Sequence, residues 1–260
     1  MCGIFGFALK RKISIAMALK LLEKLEVHKY PDETKPVGGF GAGLVTFQSD
    51  KIIYKKTGRV NSFSPVKMLS NMVKPCKVSI LIGHVRMPSE KFMETAKFKE
   101  AAQPYIAQCY PNLTIVSVHN GNVENYKEIK GQLFQVHSFE SEKIKLIDSE
   151  VIPHYFEQLL MEESESSKAL NKLFADLKGS NAISLLQISK EHLILHFIHK
   201  GKTRGLNIWT NTNGEVIFCS RKEPLIEVFK EILRRGNFEE KILIPHKKDE
   251  SLKLSIPIRF

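Results

Sequence analysis

The sequence lacks long apolar runs, and its first residues do not have the pattern of a secretory signal. None of its hydrophobic stretches approaches the roughly 20 residues that a helix needs to cross a bilayer, so we predict no membrane-spanning segment. The short apolar run at the N-terminus is followed by positive charge at residues 10–12, whereas a secretory signal carries its positive charge before the apolar segment. We therefore expect a cytoplasmic protein.

Cysteine is scarce as well. The four cysteines are widely spaced and form no CxxC pair; they are Cys2, Cys76, Cys109 and Cys219. Disulfide frameworks and zinc sites usually show closely spaced cysteines, so we predict neither a disulfide framework nor a metal site. Cys76, Cys109 and Cys219 are interpreted as free thiols, partly or wholly buried.

Acidic residues are outnumbered, but the excess positive charge is dispersed. The formal net charge is +11, from 39 Lys and Arg against 28 Asp and Glu. The lysines occur singly or in pairs along the chain, and no recognition-helix, zinc-finger or RNA-binding motif accompanies them. We interpret the charge as a solvated basic surface and predict no nucleic-acid partner, while weak attraction to an acidic protein stays open.

The chain of 260 residues is long enough to bury a substantial core, and its hydrophobic share of 43% is that of an ordinary globular domain. Strands are predicted at 3–9, 43–47, 52–55, 78–84, 113–119, 182–188, 193–198, 206–210 and 216–220, with a turn at 48–50 and a short closing strand. Helices are predicted at 15–25, 65–73, 125–134, 149–161, 168–177 and 224–234. Two clusters of strands with helices between them indicate a layered α+β fold rather than a parallel βαβ sheet.

Cys2 would become the N-terminal residue if Met1 were removed. The thiol and a free α-amine would then belong to the same residue. A cysteine thiol needs a base or a favourable field to act as a nucleophile, and an α-amine has an unperturbed pKa of about 7.7–8.0, close enough to neutrality to accept that proton. By itself, a cysteine at position 2 is weak evidence for catalysis.

Three further motifs carry polar side chains at the ends of predicted elements. In Gly83–Ser89, the planar fork of Arg86 could bind a carboxylate, although an arginine in a surface loop is the simpler interpretation. In His119–Tyr126, an Asn-Gly pair follows a buried strand; such a pair also forms an ordinary turn. In Asp148-Ser149-Glu150, the first carboxylate could bind a cation or cap a helix.

Together these motifs resemble the class II glutamine amidotransferases, which are N-terminal nucleophile hydrolases. The opening MCGIFGF, the segments GHVRMPS, HNGNVENY and DSE, and the weaker matches AQPY and HKYPD occur in the family's order, and the resemblance covers roughly residues 2–225. It implies that Cys2 is the nucleophile and that Asn120 and Gly121 stabilise the oxyanion. It further implies substrate-binding roles for Arg86, Ser89, His119 and Asp148, and supporting roles for Gly3 and Lys29.

The resemblance also implies the fold and the reaction. The expected fold is a four-layer αββα sandwich, two stacked antiparallel sheets flanked by helices. We expect a single domain over residues 1–260, of which 226–260 form a C-terminal extension. The expected reaction is hydrolysis of L-glutamine to glutamate and ammonia, with no metal or organic cofactor.

We expect a separate synthase subunit to receive the ammonia, since few residues follow the last match. Two alternatives stay open: an N-terminal nucleophile amidase acting on another amide, and a catalytically silent regulatory subunit of the same fold. The presence of both Arg86 and Asp148 favours an amino-acid substrate. The oligomeric state is not predicted.

Overall fold

The computed structural model describes residues 2–48, 51–163 and 165–259. Met1 and most of the turn predicted at 48–50 lie outside the described residues. Within those ranges the strands are β1 (Gly3–Ser14), β2 (Gly41–Gln48), β3 (Lys51–Gly58), β4 (Lys77–Val85), β5 (Tyr105–Ala107), β6 (Leu113–Gly121), β7 (Asn181–Ser189), β8 (Leu193–Lys200), β9 (Leu206–Thr210), β10 (Val216–Cys219), β11 (Glu239–Ile244) and β12 (Leu252–Pro257). The α-helices are α1 (Ile15–Val27), α2 (Pro65–Met72), α3 (Tyr126–Gln132), α4 (Val151–Glu163), α5 (Ser166–Asp176) and α6 (Lys222–Arg235).

The strands form two antiparallel sheets. One has seven strands in the order β11-β9-β10-β1-β4-β2-β3, and the other has five in the order β12-β8-β7-β6-β5. β1 lies in the middle of the larger sheet, where its apolar run is covered on both faces. Phe5 and Phe7 face the helices, and the Phe5 ring meets that of Phe229 on α6 edge-on with centroids 5.4 Å apart.

A separate apolar layer fills the space between the sheets. Ile4 and Ala8, which alternate with Phe5 and Phe7 along β1, pack there against side chains of the smaller sheet that include Val116 and Val118. The outer face of the smaller sheet is covered by α4 and α5, and that of the larger sheet by α1, α2 and α6. The structure therefore confirms the predicted αββα sandwich.

The sequence patterns missed two strands and three 3-10 helices, Glu90–Lys97, Lys99–Ala101 and Ser141–Lys143. β5 has only three residues, too few for an alternating pattern to be recognised. β11 lies at the edge of the larger sheet beside β9 and is mostly exposed, from Glu239 to Leu243, so its sequence shows no alternation of apolar and polar residues. The longest of the 3-10 helices is Glu90–Lys97. β1 is longer than predicted and continues through the basic residues 10–12, because β4 pairs with it again at Ile13 after a shift of register that follows Ala8.

The C-terminal residues 226–260 contribute to both sheets. They complete α6 and add β11 to the edge of the larger sheet and β12 to the edge of the smaller one. Across the described part of the chain, no helix combines the length and apolarity needed to cross a membrane.

Candidate active site

The pairing of β1 with β4 places Cys2. Gly3 pairs with Val85, so the residue before Gly3 lies beside the residues that follow β4. The Cys2 sulfur accepts a hydrogen bond from the Met87 backbone N–H at 3.4 Å and lies 3.5 Å from the Met87 carbonyl oxygen. A Cβ atom at Gly3 would overlap with the side chains of Val37 and Val85, which indicates how closely the chain is packed next to the thiol.

Cys2 opens onto a cavity of about 570 Å³ to which all four sequence motifs contribute. The predicted site residues that line this cavity are Cys2, Arg86, Ser89, His119, Gly121 and Asp148. These residues come from the start of β1, the end of β4, the end of β6 and the segment before α4. The fold thus brings the thiol, a buried guanidinium and a buried carboxylate into a single cleft, while the charged side chains of Glu90 and Lys91 line its exposed rim.

The Arg86 side chain is held from one side. It is only 4% exposed, and its guanidinium donates to the Thr95 carbonyl oxygen at 3.1 Å and to the Thr95 hydroxyl at 2.6 Å. Two of its five N–H groups are used in this way, and the others remain for a ligand in the cavity. Arg86 is therefore a buried, oriented cation, which differs from the simpler interpretation of a surface loop residue.

Asp148 is likewise buried and fixed in orientation. One carboxylate oxygen accepts the Val123 backbone N–H at 3.1 Å, and the other lies 3.4 Å from the Ser149 hydroxyl. The 3-10 helix Asp148–Glu150 has Ile147 at its N-cap position, so Asp148 does not cap it. Its carboxylate joins this helix to the segment after β6, and a carboxylate with two bonds still has acceptor sites free.

His119 occupies the centre of a hydrogen-bonded group. Its Nδ1 lies 2.8 Å from the Ser149 hydroxyl and its Nε2 lies 2.9 Å from the Asn181 side-chain oxygen. Its backbone exchanges two hydrogen bonds with the Gln103 side-chain amide. Burial lowers the pKa of the His119 imidazole, against Asp148 and the Asn181 hydrogen bond, which raise it. Both ring nitrogens are already engaged, so the ring orients its neighbours.

Asn120 does not line the cavity, but the alternation of β6 directs it toward the space between the sheets. Val116 and Val118, which share its face, pack in that layer, and Cys2 shares its face of β1 with Ile4. Asn120 is fully buried, and neither atom of its side-chain amide has a hydrogen-bond partner among the described residues. A buried amide without partners is costly, so this one is available to a ligand atom.

Gly121 is required by its backbone conformation and by crowding. Its φ is +156°, and a Cβ at this position would overlap with the Ser180 carbonyl oxygen and lie 2.7 Å from His119 Nε2. Only glycine fits here without moving the histidine.

Lys29 is exposed and is not among the residues that line the cavity, so a supporting role for it stays a prediction.

Two arginines from later in the chain contact other residues of the loop that contains Lys29. Arg204 and Arg221 both contact one Glu33 carboxylate oxygen, at 3.1 and 2.6 Å, and the Arg221 guanidinium stacks 4.2 Å from the Tyr30 ring centroid. Burial lowers the pKa of the Arg204 guanidinium, while the Glu33 carboxylate that it contacts raises it.

The residues that hold the site side chains in place carry almost no signal in the sequence. Thr95 orients Arg86, and Asn181 and Ser149 orient His119. Thr95 and Asn181 are ordinary polar residues outside any recognisable motif. Ser149, to which no role was assigned, is the middle residue of the Asp148-Ser149-Glu150 motif. Only Gln103 carried a signal, through its place in the weak AQPY match.

Comparisons with known proteins agree with this geometry. A family model described as "Glutamine amidotransferase domain" matches residues 91–227, more than half of the chain. The chain is similar to glutamine--fructose-6-phosphate aminotransferase [isomerizing] from Methanosarcina mazei, with 29% identity over 94% of this chain and 36% of the relative. It is also similar to the enzyme of the same name from Staphylococcus aureus, with 29% identity over 78% of this chain and 30% of the relative.

Among solved structures, the fold resembles glutamine phosphoribosylpyrophosphate amidotransferase from B. subtilis. The TM-score is 0.63 at 17% identity, covering 97% of this chain and 49% of that one. At this identity the likeness concerns the fold alone. The chain spans about a third of the length of the curated relatives it matches.

The buried His119 should make stability depend on pH. Its folded-state pKa lies below the unfolded value of about 6.5, so its contribution is complete above that value and is lost as the pH falls toward the folded-state pKa. The free energy of unfolding should therefore decrease from pH 7 to 5, by at most about 1.4 kcal/mol per pH unit for this group. In His119→Gln, urea unfolding should show a smaller decrease.

His192→Gln is the matched control, because the His192 side chain is 57% exposed and this variant should keep the wild-type slope. An unchanged slope in His119→Gln would show that His119 is not a source of the pH dependence.

Proposed function

The chain belongs to the class II glutamine amidotransferase family, and from this membership we propose that it hydrolyses the side-chain amide of L-glutamine to glutamate and ammonia. The observation that carries the proposal is the single cavity lined by the Cys2 thiol, the Arg86 guanidinium and the Asp148 carboxylate. A free amino acid carries one carboxylate and one ammonium group, so a site for it needs one group of each charge. The thiol supplies the nucleophile.

We assign the two ends of the substrate to the two buried charges. Arg86 binds the α-carboxylate with the N–H groups that Thr95 leaves free, and Ser89 adds a hydroxyl at the same end. Asp148 binds the α-ammonium through its remaining acceptor sites. His119 acts on the substrate indirectly, by holding Ser149 and limiting the space around Gly121, because both of its ring nitrogens are engaged.

The chemistry begins after removal of Met1, which frees the α-amine of Cys2. The amine accepts the thiol proton, and the sulfur attacks the carbon of the substrate amide. Asn120 and the Gly121 backbone N–H donate to the resulting oxyanion; the unpartnered amide of Asn120 supports this role. The C–N bond breaks, and ammonia leaves with a proton from the α-ammonium. Water then attacks the thioester, releasing glutamate and restoring the thiol.

Replacing the nucleophile should abolish the reaction. We expect Cys2→Ala to reduce glutamine hydrolysis by about 10³-fold or more in a coupled glutamate assay. Cys76→Ala is the control, because Cys76 is half-buried and lies outside the residues that line the cavity. Mass spectrometry of the intact active protein should show that Met1 is absent.

Three results would contradict the proposed mechanism or the assignment of glutamine as the substrate. Full activity in protein that retains Met1 would exclude the α-amine as base. Turnover of another amide without glutamine turnover would indicate a different N-terminal nucleophile amidase. No turnover of any amide by folded protein with Cys2 at its N-terminus would indicate a silent subunit.

The binding of glutamine should depend on the planar, forked shape of the Arg86 guanidinium more than on its positive charge. Arg86→Lys keeps the positive charge but loses the paired geometry, so KM for glutamine should rise about 10- to 100-fold, with a smaller change in kcat. Arg59→Lys is the control, because Arg59 is exposed and does not line the cavity. Steady-state kinetics over a range of glutamine concentrations measures both constants. An unchanged KM would place the carboxylate elsewhere.

We further propose that residues 1–260 form a single domain and that this domain acts in the cytoplasm. The ammonia that it releases is used by a synthase site on a separate polypeptide. The relatives are named as aminotransferases, and the chain corresponds to about a third of their length, so an ammonia-accepting part is expected somewhere. Affinity purification of the tagged chain from native extract should recover an ammonia-consuming partner. Recovery of this chain with no other polypeptide would contradict the proposal.

A further inference from the structure

Four potential metal ligands meet on the helix-covered side of the smaller sheet, outside the residues that line the active-site cavity. Cys109 follows β5, His137 lies in the loop after α3, and His154 and Glu157 are one turn apart on α4. Their donor atoms all lie within 4.8 Å of one another. We call these four residues the Cys109 cluster.

The separations between the donor atoms fit a tetrahedral site. His137 Nδ1 lies 3.3 Å from His154 Nδ1, Cys109 Sγ lies 3.5 Å from His154 Nδ1, and His137 Nδ1 lies 3.6 Å from a Glu157 carboxylate oxygen. Around a tetrahedral zinc, two ligand nitrogens lie about 3.3–3.4 Å apart, and a nitrogen and a thiolate sulfur about 3.5–3.6 Å. The nitrogen–nitrogen and nitrogen–sulfur edges therefore match a tetrahedral shell, and the nitrogen–oxygen edge is slightly longer, so a small movement of the Glu157 carboxylate would bring it onto the same centre.

The side chains of His137, His154 and Glu157 in the cluster are buried, Cys109 is half-buried, and neighbouring groups hold the ligands in position. The side chains of His137 and Glu157 are 0% exposed. One Glu157 oxygen, Oε1, accepts the backbone N–H groups of Cys109 and Tyr110 at 2.8 and 3.3 Å, which fixes the carboxylate. The His154 ring packs against Phe139 with centroids 4.4 Å apart. The ligands are thus oriented before any ion arrives.

Two buried polar atoms of the cluster, Glu157 Oε2 and His137 Nε2, have no hydrogen-bond partner among the described residues, and the first of them faces His137 Nδ1. The Nδ1 atoms of the two imidazoles also face each other. A proton shared between these two nitrogens would give each of them a partner but would leave Glu157 Oε2 without one. A cation at the centre would bind the free oxygen and both nitrogens at once.

We propose that Cys109, His137, His154 and Glu157 bind one zinc ion as a structural site. A thiolate, two imidazoles and a carboxylate form a donor set typical of zinc, and the two anionic ligands neutralise the charge of the ion in a buried place. Four protein ligands fill a tetrahedral shell and leave no position for water or substrate. The site therefore stabilises the fold instead of taking part in a reaction.

The ion would connect segments that also build the active site. Asp148 lies immediately before α4, which carries two of the ligands, and Gln103, which holds the backbone of His119, lies just before β5 and Cys109. The absence of a CxxC pair does not argue against this site, because its ligands come from three separate segments and only His154 and Glu157 are close in sequence.

The full chain, produced in zinc-supplemented cells and freed of loose metal by gel filtration, tests the proposal through its zinc content by mass spectrometry. We expect about one zinc per chain in the wild type and a loss to background in Cys109→Ser and His154→Gln. Cys76→Ser is the matched control, since Cys76 is also half-buried but lies outside the cluster, and it should retain the zinc. Zinc retained in Cys109→Ser but lost in Cys2→Ala would assign the metal to the active-site cavity and overturn the proposal.

A second measurement needs no variant of the cluster that could fail to fold. Cobalt added to chelator-treated wild-type protein, shown to be folded by circular dichroism, should produce a thiolate-to-cobalt charge-transfer band and the intense visible bands of tetrahedral cobalt. Stoichiometric zinc should remove these bands and slow alkylation of Cys109, located by peptide mapping. Folded protein that gives no such bands, or whose Cys109 alkylation is unaffected by zinc, would also overturn the proposal.

Discussion

The antiparallel pairing of β1 with β4 is the contact on which the arrangement of the site depends. It brings the residue before β1 beside the residues after β4, so that Cys2 contacts the Met87 backbone and Arg86 enters the same cleft. A shift of this register by one residue would turn the side chains of β1 to the opposite faces of the sheet. The buried alternation of Ile4 and Phe5 opposes such a shift, so the packing of the core also fixes the thiol.

The second sheet supplies the rest of the site by facing the first. β6 ends where β1 begins, and its alternation sends Asn120 toward the layer between the sheets while His119 and Gly121 line the cavity. Polar groups are costly in such a place unless they have partners. The structure gives His119 two partners and leaves the Asn120 amide without one among the described residues, a difference that supports the proposed roles of His119 in orientation and of Asn120 in binding.

Much of this architecture could be predicted from local patterns. Alternating apolar residues indicated most strands of both sheets, and the strands ending at residues 84 and 119 were correctly expected to lead into polar segments. The patterns failed where an element is very short, as for β5, or lies at an exposed sheet edge, as for β11. They also gave no indication of Thr95 and Asn181, because a polar residue that orients another leaves no local signature.

Local sequence patterns indicate which chemical groups are available and where the elements that carry them end: the thiol of Cys2, the fork of Arg86, the Asn-Gly pair and the carboxylate of Asp148. The packing of the folded chain establishes which of these groups share a cavity, that Asp148 does not cap its helix, and that Lys29 is exposed. It also brings Cys109 to His137 and His154. The periodicity of a helix or strand depends on residues that are close in sequence. Contacts between residues that are distant in sequence depend on strand register and on the packing of the elements.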